Sequence, residues 1–569
     1  MSKNPFSNVR DLYISPEFAL WSDFNMYSGG LGGLAGCIAF KAADRKLPLA
    51  GASLRYKHGY QDQIIQKGKQ VELPRQSSDI FTERLDETVK VDIFGRPVTC
   101  YIDVAKVPGQ TGGTVPVFFL DPDHPGNEDW DKDIARQLYP KEDSVRLAQA
   151  MLLGVGTVKV MYEIFGVNLR SVHLNDAHGA FAAVEMMRIF GGDIEKVREH
   201  LKFTTHTAVA GANWYFNPNE VRSAMNGLSG YFSMPHDRYL SMLELAIEHA
   251  GYINAVSKKH QLVTANLRPF SGRTIDFITN GVYRNRWVGP AFRELYDKYL
   301  AGWQIDPSKF ADTHAISDEE IMRAHHYQKL AMHDHIREKT GESLNPEAVD
   351  VVFARRSSNY KRPDLISHDI AALKRAVGKH PINLIYAGKA HPADEKGKRH
   401  IETLLRFAKE LREEGSNIRV VFVPNYSIRD AQMYVGGTDS WLNLPKPPLE
   451  ASGTSPAKPE APILSTQDGI IIEMKRHSEG KLPIGRFIGE EESTNIAVQE
   501  RDPAQDARHA AELYDHLGQL ARDGVQARDF RGKIEGFDFT DADRMVQEYQ
   551  EVWEGTRIVR PLEDLVATK

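Results

Sequence analysis

Cysteine is nearly absent from this chain. Cys37 and Cys100 are the only two in 569 residues, so no disulfide framework is expected. Metal-ligand spacings of the CxxC or HExxH kind are missing, and no metal site is expected either. Charge of one sign is also scarce. The 71 basic and 77 acidic residues leave a net charge of −6, without the basic excess that nucleic acid or an anionic membrane demands. No uninterrupted apolar run reaches the roughly 18 residues of a membrane span. The opening "MSKNPFSNVRDLYIS" has no apolar signal core. These absences predict a cytoplasmic globular protein with no nucleic-acid or membrane partner. Its 41% hydrophobic and 26% charged residues are ordinary for that class. Single cores stop growing near about 250–300 residues, so two large domains are expected.

Strand and helix patterns alternate along the chain, which predicts α/β layers. "DLYISPEFAL" reads as a strand running into a loop, and "LAGCIAFKAADRKL" as the helix after it. "DSVRLAQAMLLGVGTVKVMYEIFG" reads as a long apolar helix with Ser144 as N-cap and Gly166 just past its end. "LRSVHLND" and "LKFTTHT" read as short buried strands ending in polar residues. The alternation restarts with "VDVVFARR", "PINLIYAGKAH", "GKRHIETLLRFAKELREEG" and "NIRVVFVPNY", a doubly wound βαβ order. In the last helix, "TDADRMVQEYQEVWEG", Thr540 and Asp543 form a predicted capping box, and Met545, Tyr549 and Val552 share one apolar face.

Four stretches carry chemistry. "SGGLGGLAG" (28–36) opens a helix; Gly30, Gly32 and Ala35 fit a dinucleotide fingerprint, but no acidic ribose partner stands about 20 residues on. The surviving reading is backbone N–H groups near Gly30 approaching an anion or a sugar, with a tight packing loop as the alternative. "VHLNDAHGAF" (172–181) and "FTTHTAV" (203–209) place His178 and His206 just beyond buried strands, where α/β folds build sites. Neutral imidazoles offer one donor and one acceptor to sugar hydroxyls, or serve the fold alone; Asp176 is equally a helix cap. "FARRSSNYKRPDLI" (353–366) clusters Arg355, Arg356, Lys361 and Arg362 after a strand, which suits a phosphate, or is a solvated basic loop. "WLNLPKPPLEASGTSPAK" (441–458) sets Glu450 before a Gly-Thr-Ser turn whose N–H groups suit a phosphate, Glu450 itself suiting sugar hydroxyls or a salt bridge.

Together with "ITNGVYRNRWVGPAFRELYDKYL" and "YAGKAHPADEKGK", these pieces stand in the order found in the α-glucan (glycogen and maltodextrin) phosphorylases, which the chain resembles from about residue 13 to about 470. The resemblance implies the GT-B architecture, two doubly wound Rossmann-like domains facing a cleft. Residues 1–285 are then the glucan side, 286–535 the cofactor and phosphate side, and 536–569 a C-terminal helix crossing back. It implies release of glucose 1-phosphate from terminal α-1,4-glucosyl units by inorganic phosphate, with retention, and leaves a homodimer open. It also implies pyridoxal 5′-phosphate on Lys458, with Arg355, Gly453, Thr454 and Ser455 on the cofactor side. The cofactor's phosphate, with a second pKa near ~6, then serves as acid and base. Arg356 and Lys361 fall on the substrate-phosphate positions, supported by Gly30; His206 falls beside the reacting sugar, and Asn175, Asp176, His178, Asn280 and Glu450 on the sugar side.

The sequence departs from the family around that lysine. Pro456 and Ala457 precede Lys458 and Pro459 follows it, and Asp468-Gly469 arrives early. Pro456 suits a first helical position. Pro459 disfavours the α conformation at Lys458, so extended or turn-like backbone is expected there. The chain is shorter than many of the family, from which a compact enzyme with a small or altered acceptor site is expected. Two other readings stand beside phosphorolysis of glucans: a GT-B phosphorylase or glycosyltransferase for a different small acceptor, and a silent relative that binds glucan or a partner.

Overall fold

The computed structural model describes residues 4–78, 80–206, 213–225, 227–235, 238–491, 494 and 502–559. Residues 207–209 of the second histidine stretch and the tail 560–569 lie outside them. The chain divides into two compact units, one from residues within 1–60, 74–279 and 545–569, the other from 61–73 and 280–544. The divisions fall at 279/280 and 544/545, where the sequence suggests 285 and 536. Residues 61–73 belong to the second unit. There they form a hairpin, Asp62–Gln66 with Lys69–Leu73, whose Gln63 and Gln70 amides donate to the carbonyls of Gly388 (3.1 Å) and Ala390 (2.9 Å).

The second unit is built on six parallel strands in the spatial order Ile418–Val423, Ile382–Ala387, Val349–Ala354, Ser440–Asn443, Ile463–Thr466, Gly485–Ile488. This is a doubly wound Rossmann order, with its reversal between Val349–Ala354 and Ser440–Asn443. "VDVVFA" is buried at all six positions, as expected of a strand covered on both faces. A satellite aromatic core of Phe292, Tyr296, Trp303, Phe310, Phe530 and Phe537 packs in the same unit.

The first unit carries a nine-stranded sheet. Its parallel part runs Asp276–Phe277, Tyr252–Ala255, Leu201–Thr204, Ser171–Asn175, Asp11–Ile14, Leu49–Leu54, Thr114–Asp121, reversing between Ser171–Asn175 and Asp11–Ile14. The strands Arg96–Pro108 and Glu83–Ile93 then add an antiparallel edge that the sequence reading misses. These long strands alternate buried and exposed residues over much of their length, a signal of antiparallel sheet.

Two local expectations are corrected. Ser144 is not an N-cap: the helix starts at Asp143 after Glu142, and no side chain caps it. Gly166 does end the segment, at φ 59°. Helix Asp143–Ile164 is the one described helix long and apolar enough to cross a membrane, and 78% of its apolar window is buried inside the structure as core. At the other end Thr540 makes no capping box with Asp543. Thr540 closes the turn Phe537–Thr540, and the Asp541 carboxylate accepts the Asp543 N–H at 2.8 Å. The final helix Ala542–Glu554 does bury Met545, Tyr549 and Val552 on one face.

Candidate active site

Both sheets expose residues at a reversal of strand order, where neighbouring loops turn opposite ways and leave a crevice. In the second unit Arg355 is the first residue past Val349–Ala354. Its guanidinium donates to Asn443 at the end of the neighbouring strand and to Glu450 at 2.5 Å. Lys361 Nζ lies 3.6 Å from the same carboxylate. Burial would raise the Glu450 carboxyl, but Arg355 and Lys361 hold it below the usual range. Burial, then the charges of Arg355 and Arg356, push the Lys361 ammonium down to about 7 against the pull of Glu450. Arg356 is exposed. Arg362 leaves the group: at φ 47° it turns into the core, pairs with Asp506 at 2.8 Å and donates to the carbonyls of Leu444 and Pro445. Of the four cations expected to cluster, Arg355 and Lys361 pair with one carboxylate and Arg356 acts on Lys361 from an exposed position.

The segment after Glu450 is fixed from behind. The Glu450 N–H donates to Asp468 (2.8 Å) and the Ile470 N–H to the Ser452 carbonyl (2.9 Å). Gly469, at φ 56°, lies so near Ser452 that a Cβ would stand 2.4 Å from its carbonyl oxygen, so the early Asp-Gly serves this close approach. Gly453, at φ 76°, turns the chain beside Glu450. Thr454 leads into a 3₁₀ turn, Ser455–Ala457, with Pro456 at an early helical position as expected. Lys458 closes that turn with right-handed dihedrals (φ −82°, ψ −49°), the turn-like alternative and not the extended one, although Pro459 follows. The carbonyls of Ala457 and Lys458 are held by the Arg284 guanidinium at 2.9 and 2.8 Å, which offsets the clash that proline imposes. The Lys458 ammonium lies 3.7 Å from the centroid of the Trp287 ring.

These residues fit a phosphorylated aldehyde such as pyridoxal phosphate. An amine is presented over an aromatic face, and Ser455 Oγ, Ser452 Oγ and Trp287 Nε1 are buried with no partner among the described residues. A phosphate would find cationic and N–H donors around Arg355, Gly453 and Thr454. Asn280 is buried in the same unit with Oδ1 unpartnered.

In the first unit, Asn175 and Asp176 follow Ser171–Asn175 at that sheet's reversal. Asp176, at φ 66°, accepts the Ala177 N–H at 2.9 Å, so it caps the turn carrying His178. His178 stands edge-on to Trp214 (centroids 4.7 Å) and beside Tyr139 (5.7 Å). His178 Nδ1, His206 Nε2 and Asn175 Oδ1 are buried with no partner among the described residues. Burial lowers His206 to about 4, Asp176 opposing and His178 adding, so the imidazole is neutral near pH 7. His178 is lowered too, by burial against Asp176 and Glu17. Two neutral rings and an amide with spare hydrogen-bonding atoms suit a hydroxyl-rich ligand.

Gly30 begins the helix Gly30–Asp44 and is exposed. The N–H groups just before it, of Ser28 and Gly29, already donate to Glu17, Gly29 at 3.1 Å, and the Tyr139 hydroxyl donates to Glu17 at 2.9 Å. Sequence reasoning misses Glu17 and Tyr139, whose link to the glycine loop is purely tertiary. It also misses Trp287 and Arg284, although both stand in the quoted "ITNGVYRNRW" stretch.

A carbohydrate phosphorylase family model matches residues 19–107 and 220–554. The chain is 31% identical over 502 residues to a glycogen phosphorylase of Aquifex aeolicus, a match spanning 79% of this chain and 71% of that protein. It is 32% identical to a maltodextrin phosphorylase of Thermococcus litoralis over 79% of this chain and 58% of that protein. An uncharacterized protein of Methanocaldococcus jannaschii is 30% identical over 84% of this chain and 89% of its own length.

Proposed function

The chain belongs to the carbohydrate phosphorylase family, and from that membership we propose that it transfers terminal α-1,4-glucosyl units of a glycogen- or maltodextrin-like glucan to inorganic phosphate, releasing glucose 1-phosphate with retention. One observation carries the reading. Arg355 and Lys361 both pair with a single carboxylate, Glu450, and Arg356 lies near enough to lower the Lys361 ammonium, an excess of cations that suits a phosphate dianion.

Arg356 and Lys361 bind the attacking phosphate. A bound anion restores the full charge of Lys361, which burial otherwise holds near neutrality. Glu450 keeps Arg355 and Lys361 in place. In the first unit, Asn175, His178 and His206 offer their spare atoms to glucosyl hydroxyls, and the low pKa of His206 keeps its ring neutral for that role. Asn280 offers a further acceptor. Phosphate bound to these cations gives its proton to the glycosidic oxygen, the C1–O bond breaks, and the same phosphate forms the new C1–O bond on the face the leaving group left. Lys458 would hold pyridoxal phosphate covalently, with Arg355, Gly453, Thr454 and Ser455 on its phosphate side. When bound, that group supplies a phosphate monoester of second pKa near ~6, able to exchange a proton with the substrate phosphate at neutral pH.

Purified protein incubated with pyridoxal phosphate is expected to gain a near-ultraviolet band that borohydride fixes as a mass adduct on Lys458. Maltodextrin with phosphate should then yield glucose 1-phosphate, and Lys458→Ala should lose both signals. Protein that takes up no cofactor, or a Lys458→Ala variant with full phosphorolysis, overturns the reading.

A further inference from the structure

Lys458 has helical backbone in front of a proline, a conformation the chain does not hold unaided. Three features of the second unit hold it. Arg284, 2% exposed, donates from one guanidinium to the Lys458 carbonyl (2.8 Å), the Ala457 carbonyl (2.9 Å) and the Thr540 hydroxyl (3.0 Å). That guanidinium lies 3.5 Å from the centroid of Phe537, a tight stack that fixes its plane. Around it are buried Glu460 and Lys533, whose charged ends have no hydrogen-bond partner among the described residues. Lys533 faces the same Phe537 ring at 5.3 Å. Burial is costly for both groups and is offset only in part by their attraction to each other and, for Glu460, to Arg284.

We propose that Arg284 is a positioning residue for Lys458: it clamps the carbonyls on either side of the Ala457–Lys458 peptide so that the ammonium is delivered over the face of Trp287, with Phe537 and Thr540 fixing its orientation. The clamp suits a proline-flanked loop, because the residue before a proline is disfavoured in the right-handed helical region and gains from an external hold. Burial lifts the Glu460 carboxyl to about 7, Arg284 and Lys533 opposing, which fits a group packed against the clamp. Arg284 touches neither the amine of Lys458 nor the Trp287 ring through any of these bonds; it acts through the peptide backbone. The proposal rests on the reading of Lys458 as the cofactor lysine, but its backbone half is testable without cofactor.

Arg284→Met and Thr540→Val are compared with wild type in two measurements. In cofactor-free protein, amide hydrogen exchange of the peptide spanning 455–462 is expected to quicken at least tenfold in Arg284→Met and two- to fivefold in Thr540→Val. The strands Ser440–Asn443 and Ile463–Thr466 should stay within twofold of wild type. With pyridoxal phosphate added, the dissociation constant read from the near-ultraviolet band should rise at least tenfold in Arg284→Met, and Arg284→Lys should recover part of it. A general loss of structure would instead quicken exchange in the strands as well. Exchange of 455–462 and cofactor affinity both within twofold of wild type in Arg284→Met overturn the proposal; if that variant does not fold, an unchanged Thr540→Val does so. If wild type takes up no cofactor, the reading of Lys458 fails, and the exchange result alone decides the clamp.

Discussion

Arg355 and Glu450 meet at 2.5 Å, both buried, and Lys361 stands 3.6 Å from the same carboxylate. The ion pair joins the strand end of Val349–Ala354 to the loop that leads to Lys458. One carboxylate thus holds two cations that would repel each other in its absence. Glu450→Ala removes the one carboxylate that either cation pairs with among the described residues, and breaking a buried pair from one side costs about 3–5 kcal/mol. Urea denaturation should show that loss, and Glu450→Gln, which keeps a hydrogen-bond acceptor for Arg355, should lose less.

Anion binding should depend on the charge of Lys361. Its ammonium titrates at about 7, so the charged form that attracts anions disappears as pH rises above 7. Sulfate has a fixed charge in this range and isolates the lysine. Sulfate affinity, read by thermal shift, should fall between pH 7 and 9, approaching tenfold per unit where one proton is coupled. Lys361→Met should bind weakly at every pH with a flat profile.

His206 offers a test that separates function from stability. Its Nε2 has no hydrogen-bond partner among the described residues. His206→Gln should therefore change the unfolding free energy by less than ~1 kcal/mol while lowering kcat/KM for phosphorolysis about 10- to 100-fold, the worth of one or two hydrogen bonds to substrate. Equal losses in both measurements would assign the ring to the fold.

The final helix makes the first unit acid-sensitive. Trp553 Nε1 donates to His173 Nδ1 at 2.9 Å, and the other ring nitrogen meets Thr204 Oγ1 at 2.7 Å. Burial, then His206 and Lys202, push His173 down to about 3. The unfolded chain takes up its proton near 6.5 and the folded one does not until about 3, so the stabilisation is complete above 6.5 and drains as pH falls through that window. One such histidine gives a slope of up to ~1.4 kcal/mol per pH unit. Urea midpoints between pH 7.5 and 5 should show it, and His173→Gln should flatten it by one proton.

Much of the scaffold is legible in the residues. "VDVVFA" and "SVHLN" are apolar runs too short for helices, and their polar followers, Arg355 and Asp176, mark the strand ends where the two sheets reverse. The antiparallel edge is legible as well: its strands form consecutive hairpins, with Ile93 opposite Arg96 and Pro108 opposite Thr114, and their buried–exposed alternation is the local signal that the sequence reading passes over. The Arg355–Arg362 stretch shows the limit of local reading within eight residues. Its composition says "cationic", but only the left-handed turn at Arg362 sends one guanidinium to Asp506 while Arg355 and Lys361 pair with Glu450.

Lys458 marks the division. By itself the sequence determined that a lysine follows the Gly-Thr-Ser step, that prolines flank it, and that a proline after it opposes helical backbone; these are covalent and steric facts of neighbouring residues. Tertiary structure alone decided that the backbone is helical nonetheless. Arg284, 174 positions away in the chain, supplies two charge-assisted hydrogen bonds to its carbonyls, and Trp287 supplies the ring its ammonium faces. A local steric preference of a kcal/mol or so yields to several such contacts made at once, and nothing within the segment announces that they are there.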